Sequence, residues 1–162
     1  MTTTPFLQNI ARNYDLIAVE VLEVLPEQRL RIRIERIYAN RHCGALLQLQ
    51  KDMEIVHIPP VFGVHVLHTG ERGLMFVSPI NGILYEEPAR GHFVIDQIDG
   101  MSYAGFKTHS DLHELPEALS AASRRDHPRG PAFAAIELKA LEDYLVGLYA
   151  QTSPREKLSK ER

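Results

Sequence analysis

Apolar and polar residues alternate from residue 15 to residue 38, DLIAVEVLEVLPEQRLRIRIERIY, on both sides of a short polar turn at Pro26, Glu27 and Gln28. A period of two marks strands with one buried face, so the stretch predicts two long β-strands joined as a hairpin. In the first, Ile17, Val19 and Val21 share one face and Ala18, Glu20 and Leu22 the other, both apolar enough for a central strand or one that coils across two layers. In the second, Leu30, Ile32 and Ile34 alternate with Arg29, Arg31 and Arg33. Carrying that phase onward would bury Arg36 and expose Ile37; one inserted residue corrects it, which predicts a β-bulge near Glu35. A two-stranded ribbon cannot bury its own apolar face, and a long bent one suits a small closed barrel.

The remaining segments supply the closure. Residues 5–13 carry Phe6, Leu7 and Ile10 at helical spacing before the first strand. After a polar connection at 39–44, short strands are expected at 46–49 and 53–58, the second either continuing the first or standing alone. Pro59 and Pro60 remove ladder donors, so residues 56–70 read as a long excursion around the barrel. Strands at 74–77 and 83–86 flank Asn81-Gly82, the strongest hairpin signal in the chain. A strand at 92–96 follows, with Phe93 and Ile95 inward, and Asp99-Gly100 turns it onto 101–106, where the β part is expected to end. Ser110 or Asp111 with Glu114 resembles a capping box, and Pro116 opens a short helix over 116–124. From Pro131, the residues Phe133, Ile136, Ala140, Leu141, Tyr144, Leu145, Leu148 and Tyr149 form one helical stripe. The fold class is α+β, mostly β: a small bulged antiparallel OB-like barrel with a C-terminal amphipathic helix packed on it. Residues 1–150 form one domain and 151–162 a charged, frayed tail.

Charge narrows the partners. A formal net charge of -3 disfavours phosphate backbones, which need clustered lysine and arginine, so nucleic acid is not expected. The N-terminus lacks a secretory pattern and no window suits a membrane span, so a cytoplasmic, membrane-free protein is expected. Cys43 stands alone, which excludes an intramolecular disulfide and a cysteine zinc site, and it reads as a small, partly buried apolar residue.

No catalytic motif emerges. There is no Gly-x-Ser-x-Gly, no P-loop and no dinucleotide glycine pattern, and His42 beside Cys43 is not a dyad on a strand. His65 and His68 point apart in an extended segment, and His109 with His113 lacks the glutamate of a zinc hydrolase helix. Residues 57, 65, 92 and 113 can be gathered only by the fold, so spacing assigns no metal and no cofactor. Glu86-Glu87 flanks a turn, where acids keep an edge soluble. Arg29, Arg31 and Arg33, about 6.6–6.8 Å apart along the strand, form either a face for an acidic partner or a solvated row paired with Glu20 or Glu23.

The entry PFLQNIARNYDLIAVEV, the strand end RIERIYAN and the segment TGERGLMFV resemble the netrin-module superfamily, which includes the inhibitory domain of tissue inhibitors of metalloproteinases. That resemblance covers residues 5–86 and implies an OB-type barrel used for binding. Those inhibitors use an N-terminal cysteine on the target's zinc and are cross-linked by disulfides. This chain begins MTTT and holds one cysteine, so no inhibitory residue carries over.

The leading expectation is a non-catalytic module that binds another protein, of the neutralising immunity or inhibitor type. Its contacts would come from Arg29, Arg31 and Arg33, or from Phe62, His65 and His68, and a second copy of the chain is a further candidate partner. Two other classes stay open: a metal-dependent or histidine-assisted enzyme around His65 and His68, and single-stranded nucleic-acid binding by the arginine face.

Overall fold

The computed structural model describes residues 5–57, 67–88, 92–107, 119, 121–124 and 133–152. Helix α1 (Pro5–Asn13) leads into β1 (Asp15–Leu25), β2 (Arg29–Ala39), β3 (Asp52–Val56), β4 (Arg72–Ile80) and β5 (Ile83–Glu86). β1 pairs with β2 and β4, β2 with β3, β3 with β5 and β5 with β4, which closes a five-strand barrel. Every second residue points inside: Ile17, Val19, Val21, Leu30, Ile32, Ile34, Ile55, Met75, Val77 and Leu84 are all buried in one cluster. Each such aliphatic side chain contributes about 1.5–3 kcal/mol relative to exposure, so this interior is a main source of stability.

The expected bulge is present. Ala18 faces Arg36 and Val19 faces Ile34, leaving Glu35 unpaired, so Arg36 stays exposed while Ile37 packs against the barrel interior. Further shifts at Tyr38 and Leu22 bend the ribbon around the barrel. Asn81 and Gly82, with φ of 52° and 78°, make the tight β4–β5 turn.

Several sequence expectations change. Residues 46–49 are not a strand: Gly44–Leu46 is a 3-10 turn that drops Leu47 into the barrel end, and β3 is a separate strand. The β part does not end near residue 106, because β6 (His92–Ile98) and β7 (Met101–Lys107) are followed by β8 (Ser123–Arg124) and β9 (Phe133–Glu137). These extend from β4 in the order β6-β7-β9-β8. The helix read from Pro131 therefore begins only at Leu138, as α2 (Leu138–Gln151). Residues 133–137 instead satisfy the edge of β7, from Tyr103↔Glu137 to Lys107↔Phe133, and those ladder bonds override a helical period that local sequence alone suggested. The capping box lies outside the described residues, as do residues 116–118 and 120 of the expected 116–124 helix; Leu119 and Ala121 are helical, and Ser123–Arg124 is strand.

β4 has two covered faces. Its odd positions fill the barrel, while Leu74 and Phe76 meet Leu7, Ile10 and Ala11 of α1 and Leu141 and Leu145 of α2 in a second core. Phe93 joins this second core with Ile95 packed against it, so the inward face of β6 at the barrel is His92 and Val94 instead. β4 and β6 approach closely at Gly73, where a Cβ would lie 3.1 Å from the Phe93 carbonyl oxygen. The end of α2 is clasped by Arg41, whose guanidinium donates to the carbonyls of Tyr149 and Thr152. Asp15, fully buried, accepts N–H bonds from Arg41, His42 and Cys43 at 2.5, 3.0 and 2.7 Å. Among the described residues, no helix is long and apolar enough to cross a membrane.

Candidate metal centre

β5 and β6 lie end to end along the same edge of β4: Val77 faces Glu86, and Met75 faces His92. Between them the ladder breaks after Glu87 N–H donates to Phe76 O at 2.9 Å. On the other side of β5, β3 runs parallel, with Ile55↔Leu84 and Val56↔Tyr85. One step further brings His57 level with Glu86, and His57 N–H donates to Gln28 O at 2.8 Å. Strand parity does the rest. His57 follows the phase of Ile55, Glu86 that of Leu84 and His92 that of Val94, so three polar side chains turn inward where the pattern otherwise delivers hydrocarbon.

His57, Glu86 and His92 are 4%, 5% and 3% exposed, and their ligand-capable atoms all lie within 4.8 Å of one another. Nδ1 of His57 contacts one oxygen of the Glu86 carboxylate and Nδ1 of His92 the other. The ring centroids are 5.5 Å apart at 50°. Burial, the largest single influence, pushes the Glu86 carboxyl up. The charge of His92, the hydrogen bonds from both rings and the charge of His57 together outweigh it and hold the carboxyl below its ordinary value. Nε2 of His57 is buried with no hydrogen-bond partner among the described residues.

Two imidazole nitrogens and one carboxylate oxygen form a donor set of the kind that suits zinc, iron and their neighbours and suits calcium or magnesium poorly. Zinc bonds to such nitrogen and oxygen donors are about 2.0–2.2 Å long. Without an ion, the same groups hold a carboxylate between two rings, and the orphaned nitrogen on His57 carries the desolvation penalty of an unmade bond. A carboxylate inside an apolar wall needs a counter-charge, which a protonated ring or a divalent cation can supply.

The arginine row behaves differently. Arg29 pairs with Glu54 at 3.1 Å, Arg31 with Glu23 at 3.0 Å and Asp52 at 3.4 Å, and Arg33 with Asp52 at 3.0 Å. Glu23 is thus one of the expected cross-strand partners, while Glu20 lies 3.9 Å from Arg72 instead. Phe62, His65 and His113 fall outside the described residues; His68 is exposed, with its N–H on Glu71 at 2.7 Å. Cys43 is buried, and burial first, then Asp15, pushes its thiol far up, consistent with an inert packing residue.

Of the four histidines that the fold alone could gather, 57 and 92 meet, and the residue joining them is Glu86, which local sequence places with Glu87 beside a turn. A readable signal existed: Leu84-x-Glu86 and His92-x-Val94 each put an ionisable residue on the apolar phase of a strand. Comparison with protein-family models, with curated proteins and with solved structures gave no match, so the likeness that stands is to the closed five-strand barrel alone.

Proposed function

We propose that this chain is a metal-binding β-barrel protein that holds one divalent transition-metal ion through His57, Glu86 and His92. The observation that carries the reading is the convergence of three buried ligand side chains, from three strand ends, within 4.8 Å. The buried Nε2 of His57, without a hydrogen-bond partner among the described residues, adds support as an unmade polar bond at the site that a ligand could satisfy. Kinship with the netrin-module superfamily belongs to the proposal only through the bulged hairpin and the barrel.

Zinc titration into metal-free, tag-free protein followed by calorimetry tests it. One equivalent should bind, with affinity reduced at least tenfold in His57→Ala and in His92→Ala, and thermal stability should rise with zinc in the wild type alone. No binding above that of the two variants would leave the triad a hydrogen-bonded structural group and remove the reading.

A protein partner on the arginine face is a second reading. It is favoured by three guanidinium side chains that remain 43%, 39% and 40% exposed in one row despite their ion pairs. Charge reversal of all three should abolish any stoichiometric complex recovered from native lysate.

A further inference from the structure

We propose that the metal held by His57, Glu86 and His92 keeps one coordination position for a small monoanionic ligand, of the chemical class of hydroxide or azide. This rests on the metal-binding reading above and goes one step past it, to what the metal itself binds. Three protein donors leave a four-coordinate ion one short, and among the described residues no further histidine, cysteine or acid joins the cluster. Asp15, the other carboxylate buried among the described residues, has its oxygens engaged by the N–H groups of residues 41–43. Met75, directly opposite His92, offers only a thioether.

Charge sets the class of the ligand. A divalent ion against the single carboxylate of Glu86 leaves one unit of positive charge inside a wall of Ile55, Met75, Val77 and Leu84, each at most 1% exposed. In such surroundings an uncompensated charge costs far more than in water, and a monoanion in the fourth position cancels it. Burial sets the size. The three ligating side chains are each at most 4% exposed, so a ligand has to reach the ion through a nearly closed wall, which favours a few atoms over a ring.

Metal-free protein loaded with one equivalent of cobalt(II) reports the coordination through its visible bands. Azide should change those bands saturably, while imidazole at the same concentration leaves them unaltered. Cobalt bands that do not respond to azide would mean a position closed by the protein and would overturn the proposal, as would an equal response to imidazole. Absence of cobalt bands altogether would instead strike the metal-binding reading on which this one depends.

Discussion

Arg29, Arg31 and Arg33 meet their acids on the outer wall of the barrel, where both partners keep about two-fifths or more of their side chains in water. His57, Glu86 and His92 meet through the same kinds of charge inside that wall, where no partner keeps more than 4%. Strand parity separates the two: the arginines occupy the outward phase of β2, and the triad occupies the inward phase of β3, β5 and β6. Water screens the first group until each pair contributes at most about 1 kcal/mol. In the second, charges must be matched by one another or by an ion, because little solvent is there to do it. Exposure, more than the identity of the charged groups, decides what each cluster is worth.

The largest way to break this comparison is Glu86→Ala. In metal-free protein it removes the acceptor shared by two buried rings and should cost about 3–5 kcal/mol by denaturant unfolding; a loss under about 1 kcal/mol would put the triad in the same class as the arginine ladder. Next comes Gly73→Ala. Its new Cβ would press on the Phe93 backbone oxygen at 3.1 Å, which cannot rotate away, so a loss of about 1–3 kcal/mol is expected, with weaker zinc binding as β6 shifts against β4. An unchanged unfolding midpoint would show that the two strands have slack.

Acid sharpens the contrast further. The Glu86 carboxyl is held below its ordinary 4.5 in the folded chain, so as pH falls the unfolded state takes up that proton first. The stabilisation is therefore fully present above about pH 4.5 and is lost as pH drops through the lower folded value. In metal-free Glu86→Gln the acid limb of the stability curve should be shallower than in the wild type, and identical limbs would count against a charged triad. The smallest effect belongs to Arg31→Ala, expected at about 1 kcal/mol or less and shrinking further in 1 M salt.

How far the sequence disclosed each region follows from the same contrast. The ladder was legible because Arg-x-Arg-x-Arg against Leu-x-Ile-x-Ile declares a strand and its two faces within one segment, and the frame shift at Glu35 even located the bulge. The Asn81-Gly82 turn was legible for a similarly local reason, since both residues must adopt positive φ. The triad was legible only residue by residue, as Glu86 and His92 on apolar strand phases, because the meeting of the three depends on β3 lying parallel to β5 and on β6 resuming the edge of β4 where β5 leaves it. Neither pairing leaves a mark within any one segment. Phe133 to Glu137 failed for the opposite reason: its local period suited a helix, and the open edge of β7 claimed it as strand.

X-ray absorption at the zinc edge, on protein carrying one equivalent of zinc, tests the central claim most directly. The expected first shell holds only nitrogen and oxygen at about 2.0–2.1 Å, with outer-shell scattering from two imidazoles that falls to one in His92→Ala. A sulfur neighbour near 2.3 Å, or a spectrum that is the same in wild type and His92→Ala, would contradict it.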